Sequence, residues 1–169
     1  HCDFTVLYFD DENTKKEVLK QCKFKTIYVP ARKVWKFVIH KKSIHKICKE
    51  FDVVISLGTI QYLSYTTLAF RKRNYKLIQY GIGEPASYHR HYGDASKLYY
   101  ALSHIIEKRS DALLFYSPQG IKLHEERGYT QTKMFVANNT TEVLKRDVIP
   151  SLKNSILFIG TLYPQKGLQ

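Results

Sequence analysis

Seven short apolar runs, rich in β-branched and aromatic residues, punctuate the chain: Phe4–Phe9, Thr26–Val29, Val53–Leu57, Lys76–Tyr80, Ala112–Tyr116, Lys133–Ala137 and Ile156–Ile159. Most of them are apolar throughout instead of alternating with polar residues. A strand with one wet face alternates, whereas a strand covered on both faces by helices does not. The runs therefore predict a mostly parallel sheet, and the segments between them predict the covering helices. Leu98, Ala101, Leu102, Ile105 and Ile106 repeat with helical spacing behind Asp94, which is placed to cap the start. Ile44, Ile47, Cys48 and Phe51 form a shorter stripe. Ser117-Pro118 reads as a cap followed by proline at the first helical position, with Gly128 as the stop, and Thr14 to Glu17 fits a capping box. Strands alternating with helices predict an α/β fold with a doubly wound, Rossmann-like sheet.

With 169 residues, one such domain uses nearly the whole chain. The expected domain runs over residues 1–150, and residues 151–169 form a linker plus the first strand of a second domain. Pro150 and the polar stretch Lys145–Ser155 mark the boundary. The missing initiator Met at position 1 favours a fragment.

The balance of 27 basic against 15 acidic residues attracts polyanions without choosing among nucleic acid, phosphorylated small molecules and an anionic membrane. Ala31–Lys42 mixes basic residues with Trp35 and Phe37; it fits an anionic membrane surface as well as a helix or strand packing one face. No apolar run is long enough to span a bilayer. Cys2, Cys22 and Cys48 are odd in number and widely spaced, which argues against a disulfide framework or zinc site and fits a reducing cytoplasm. Arg71-Lys72-Arg73 reads as a solvated helix end, and His89 and His91 lack further metal ligands, so no metal is expected.

In open parallel sheets, ligands bind at the carboxyl ends of strands. After Tyr80, Gly81-Ile82-Gly83-Glu84-Pro85-Ala86 formally matches a dinucleotide fingerprint, but Pro85 interrupts the turn and Glu107, at the spacing of the ribose-binding acid, lies on a helix. After Tyr116, Ser117 opens a helix whose N–H groups could hold an anion. After Ala137 comes the polar turn Asn138-Asn139-Thr140-Thr141. After Ile159, Gly160 permits backbone approach to a phosphate and Lys166 can neutralise it, with a spacing unlike a Walker A loop.

Taken in order, these features resemble the retaining glycosyltransferases of the GT-B fold, family 4 in the usual sequence classification. Asp111–Ser117 is similar to the family's A-D-x-hydrophobic-S strand, Lys133–Thr140 to its K-hydrophobic-x-V-x-N segment, and Gly160-Thr161-Leu162 with Lys166-Gly167 to its G-R-L…K-G opening of the donor domain. The resemblance implies two Rossmann-like domains facing a cleft, the N-terminal one binding a glycan or lipid-linked acceptor and the C-terminal one a nucleotide-sugar. No cofactor is implied beyond that co-substrate. Gly160, Thr161, Lys166 and Gly167 would meet the donor diphosphate, although the family's arginine position is Thr161 here. Gly81, Ile82, Gly83, Glu84, Tyr116, Ser117 and Asn139 are the candidates for the acceptor cleft, with Ile82 where relatives carry histidine. The catalytic carboxylates are expected beyond Gln169, and the family's first strand and helix before Phe4, so this chain alone is expected to be inactive. The implied setting is the cytoplasm, at the inner face of the membrane, in cell-surface polysaccharide synthesis. No nucleic-acid partner is expected. A basic α/β module binding nucleic acid and an NAD(P)-dependent oxidoreductase fragment are the competing classes.

Overall fold

The computed structural model describes residues 3–9, 24–81, 95–129 and 133–138. Two parallel strands come first, β1 (Thr5–Tyr8) and β2 (Lys25–Tyr28), followed by an antiparallel hairpin of β3 (Ala31–Val34) and β4 (Phe37–His40). Helix α1 (Ile44–Cys48) leads into β5 (Val53–Leu57); α2 (Leu63–Thr66) and a 3-10 turn (Thr67–Phe70) lead into β6 (Lys76–Gly81). Helix α3 (Lys97–Lys108) precedes β7 (Ala112–Phe115), and α4 (Pro118–Glu125) precedes β8 (Met134–Val136).

Strands β5, β6, β7 and β8 form one parallel sheet in sequence order. The chain is thus an α/β protein with a parallel sheet and connecting helices, as the apolar runs predicted. Its parallel order is compatible with the doubly wound, Rossmann-like expectation, in which four such strands make up one half. Through these four strands the order advances in one direction only, so crossovers of one hand put their helices on one face. The register sets Ser56 beside Gln79, Gln79 beside Leu113 and Leu113 beside Met134, all buried on that covered face. The opposite face carries Val53, Ile55, Leu57 and Phe135, all about half exposed among the described residues. The reading of β5 as buried on both faces is therefore corrected: Val53, Ile55 and Leu57 lie on the half-exposed face, and Val54 and Ser56 on the covered one.

The main core gathers Val29, Ile44, Cys48, Leu68, Tyr75, Leu77 and Ile106, joining β2, α1, the 3-10 turn, β6 and α3. Burial pushes the Cys48 thiol up to about 11, partly offset by its hydrogen bond with Tyr75, so it sits protonated as a small hydrophobe. A second cluster of Leu113, Phe115 and Met134 lies between β7, β8 and α4.

Local structure departs from the sequence reading at three other places. Ser96 caps α3 by accepting from the Tyr99 N–H at 3.2 Å, while Asp94 lies outside the described residues. Leu98, Leu102 and Ile105, expected to face the core, are exposed; only Ile106 of that stripe is buried, because α3 meets the core at its last turn. Arg73 is no solvated helix end: it donates to Asp111 Oδ2 at 3.0 Å and to the Arg109 carbonyl at 2.7 Å. The Thr14–Glu17 capping box, the linker and Ile156–Ile159 lie outside the described residues.

His40, at the base of the hairpin, is 7% exposed between the rings of Phe9 and Tyr65, and neither ring nitrogen finds a hydrogen-bond partner among the described residues. Burial lowers its pKa. The folded state therefore holds His40 neutral while the unfolded chain takes up a proton near its ordinary pKa of 6.5. That stability is intact above the unfolded pKa and is lost as pH falls below it. His40→Phe removes two unpaired buried nitrogens and the proton uptake together. Its melting temperature at pH 5 is expected to exceed the wild type's by roughly 2–4 °C, with a smaller gain at pH 7.5. Calorimetry at the two pH values checks this; an equal gain at both would remove the proton from the argument.

Candidate functional site

An open cleft of about 700 Å³ lies at the carboxyl ends of β5, β6 and β7, where a parallel sheet ordinarily presents its ligand site. Leu57, Gly58 and Thr59 close β5, and Gln79, Tyr80 and Gly81 close β6. The opposing wall is the inner face of α3, where Tyr100, His104 and Glu107 recur at helical spacing with Ser103 beside them. The third side comes from α4 and the turn after it, with His124, Arg127 and Tyr129.

Gly128 makes that third side possible. Its φ of 78° is a left-handed conformation that glycine adopts without strain, so it ends α4 as the sequence suggested and turns the chain back. The Tyr129 N–H then donates to the His124 carbonyl, and the Tyr129 ring packs edge-to-face against the imidazoles of His104 and His124, with centroids 4.8 and 4.9 Å away. Its hydroxyl donates to Glu107 Oε2 at 2.5 Å. Burial first, then the Glu107 carboxylate, raises the Tyr129 pKa, so the phenol keeps its proton. Glu107 Oε2 also lies 3.5 Å from His124 Nε2, and His124 Nδ1 lies 2.9 Å from the Gly120 carbonyl. One carboxylate on α3 thereby fixes two side chains from α4 and its exit turn. The Arg127 guanidinium stacks 5.0 Å from the Tyr100 ring, closing the rim.

Gln79 lies at the floor of the cleft, 4% exposed. Its Oε1 accepts from the Ser56 hydroxyl at 3.3 Å, but its Nε2 has no acceptor among the described residues. A buried amide without an acceptor costs about 1–3 kcal/mol, and the Gln79 amide lacks an acceptor that something other than the described side chains would have to supply. Beside it a void of about 10 Å³, bordered by Thr66, Ser103 and Glu107, is close to the size of one water molecule. Rings with few cations, one buried amide donor and one carboxylate form a surface for a polar, uncharged ligand that has apolar faces. No cluster of metal-ligating side chains is found among the described residues.

Of the residues singled out from sequence, Gly81 lines the cleft at the end of β6. Tyr116 and Ser117 follow β7 at the same end of the sheet, and the Tyr116 ring lies 6.4 Å from that of Tyr80, but neither lines the cleft. Ser117 caps α4 by position, without a side-chain hydrogen bond. Ile82, Gly83, Glu84, Asn139, Gly160, Thr161, Lys166 and Gly167 lie outside the described residues. The sequence reading missed Gln79, His104, His124, Arg127 and Tyr129 as site residues. The one available signal was on α3, where Tyr100, His104 and Glu107 form a second stripe at i, i+4, i+7 beside the apolar one. Compared with protein-family models, curated proteins and solved structures, the chain finds no match.

Proposed function

We propose that the chain is the acceptor-side portion of a retaining glycosyltransferase that moves a sugar from a nucleotide-sugar donor to a polysaccharide or lipid-linked acceptor in cell-surface glycan synthesis. The observation that carries the reading is the cleft at the strand ends, walled by Tyr80, Tyr99, Tyr100 and Tyr129 and floored by the unpaired Gln79 amide. A sugar ring offers apolar C–H faces that stack on aromatic rings, and hydroxyls that both accept and donate. The tyrosine faces, the Gln79 donor and the Glu107 acceptor suit those requirements together. A nucleic-acid groove would instead need a run of cations along its walls. The cleft offers Arg127, with Glu107 of opposite sign.

On this reading Lys166, preceded by Gly160 and Thr161, stabilises the charge that develops on the leaving diphosphate. The setting is the cytoplasmic face of the membrane. No helix among the described residues is long and apolar enough to cross a membrane.

The test is saturation-transfer NMR of the folded chain against a panel of neutral mono- and disaccharides. At least one sugar is expected to bind, and Gln79→Leu is expected to weaken it about tenfold through the loss of one buried hydrogen bond. A well-folded protein that binds none of the panel, or binds equally well without the Gln79 amide, overturns the assignment of this cleft.

A further inference from the structure

The β3–β4 hairpin places at its tip the most exposed large apolar side chain among the described residues. Trp35 is 75% exposed, Val34 beside it is 45% exposed, and the Phe37 ring packs against the indole with centroids 6.0 Å apart. The register sets Val34 opposite Phe37 and Arg32 opposite Ile39, so these four share one face of the hairpin. Between Ala31 and Lys42 there are five lysines and arginines and no carboxylate. Lys36 Nζ lies 4.9 Å from the indole centroid, on the ring itself.

The backbone supplies an independent observation. Trp35 has φ 54°, the only positive φ outside glycine among the described residues. A turn of this kind ordinarily takes glycine at that position, and a bulky side chain there is disfavoured. The base of the hairpin, by contrast, is fastened. The Val38 N–H donates to the Gln61 carbonyl at 2.8 Å, the Lys41 N–H to the Pro30 carbonyl at 2.8 Å, and His40 is buried. A rigid base therefore presents a strained, exposed indole inside a ring of cations. Charges on an edge strand do discourage strand pairing, but that role needs neither the indole nor Val34, and both work against it.

We propose that this hairpin is an interfacial anchor for an anionic lipid surface. The Trp35, Val34 and Phe37 side chains enter the headgroup–acyl boundary, while Arg32, Lys33, Lys36, Lys41 and Lys42 meet the lipid phosphates. Indole is the side chain that partitions best to that boundary, and clustered lysines and arginines are drawn to anionic leaflets. The aliphatic Val34 and Ile39 on the same face offer neither a ring for a base to stack on nor a hydrogen bond to a base edge, which favours lipid over single-stranded RNA. The proposal stands whatever the cleft binds.

The chain holds a single tryptophan, so its emission reports on this site alone. With vesicles of phosphatidylcholine containing roughly one-third phosphatidylglycerol, the emission is expected to shift to the blue and to be quenched by brominated acyl chains. Pure phosphatidylcholine vesicles are expected to leave it unchanged. Trp35→Gly, which suits the turn, is expected to melt no lower than wild type and yet to co-sediment with the anionic vesicles at least tenfold more weakly. Lys33→Gln with Lys36→Gln keeps the indole and is expected to lose most of the blue shift. Co-sedimentation without any change in emission, or an emission change with single-stranded RNA and none with vesicles, overturns the proposal.

Discussion

Gly120→Ala is expected to destabilise the protein by about 2 kcal/mol, although alanine is the better helix former. On α4 taken alone, the exchange would stabilise by up to about 1 kcal/mol. Packing reverses the sign. A Cβ on residue 120 would stand 2.6 Å from Phe115 Cγ, 2.7 Å from its Cδ1 and 2.9 Å from its Cβ. The last of these is fixed to the β7 backbone, so rotating the ring cannot relieve the contact. Phe115 is 4% exposed, packed with Leu113 and Met134 and stacked against His124 at 4.7 Å, leaving the ring nowhere to go. Helix and strand must separate, and overpacking of this kind typically costs about 1–3 kcal/mol and occasionally more, which exceeds what propensity returns. Urea denaturation measures the change. Phe115→Ala in the same chain should make the Gly120→Ala exchange less costly, because it removes Cγ and Cδ1 and leaves only the Cβ contact at 2.9 Å. A double mutant whose loss equals the sum of the two single losses would show that the two residues do not meet.

That contact also shows how much of the fold the sequence carried. The six apolar runs from Phe4 to Ala137 each overlap a strand, and the ends of each strand lie within a residue or two of those of its run. Apolar runs are local, and a strand needs little more than its own residues to be recognised. Strand order is not local. Nothing in Val53–Leu57 says which face meets the helices: the face carrying Val53, Ile55 and Leu57 is the more apolar, yet Val54 and Ser56 lie on the covered one. The stripe on α3 misled for the same reason: Leu98, Leu102 and Ile105 fulfil the period of an amphipathic helix, but which face turns inward is set by Glu107 engaging Tyr129 and by Ile106 reaching the core. The cleft was legible only as a place, the carboxyl end of the sheet. Its side chains come from five separate segments spread between Leu57 and Tyr129, and Tyr129 enters only because Gly128 turns the chain back. The hairpin shows the reverse case, since Ala31–Lys42 already combined charge and aromatics in sequence and the structure added the tip and its strain.

Asp111→Asn is expected to cost about 2–3 kcal/mol at neutral pH, and that cost is expected to vanish in acid. The resemblance drew attention to Asp111 as part of a strand motif; the geometry gives it a physical task at the end of the sheet away from the cleft. Its Oδ2 accepts the Leu77 N–H at 2.9 Å and the Arg73 guanidinium at 3.0 Å, and its Oδ1 accepts from Lys76 Nζ at 3.4 Å. The Asp111 N–H in turn donates to the Leu77 carbonyl. Arg73 also donates to the Arg109 carbonyl, so one carboxylate joins the start of β6, the start of β7 and the exit of α3. Partial burial pushes the Asp111 pKa up, but the Leu77 N–H, Arg73 and Lys76 outweigh it, and the net shift is downward from 3.8. A carboxylate whose folded pKa lies below its unfolded value adds stability that is fully present above the unfolded pKa and lost as pH falls through the folded one. Asparagine keeps the shape and removes the charge. Wild type and variant should therefore differ at pH 7 and converge in the window below about pH 4, well below the range in which His40 acts. The sugar binding proposed for the opposite end of the sheet should be unaffected wherever the variant remains folded. Urea midpoints for both proteins across that range decide the matter: a gap that stays constant into acid would mean that the amide disrupts packing at the strand start, and that the charge on Asp111 contributes nothing to the fold.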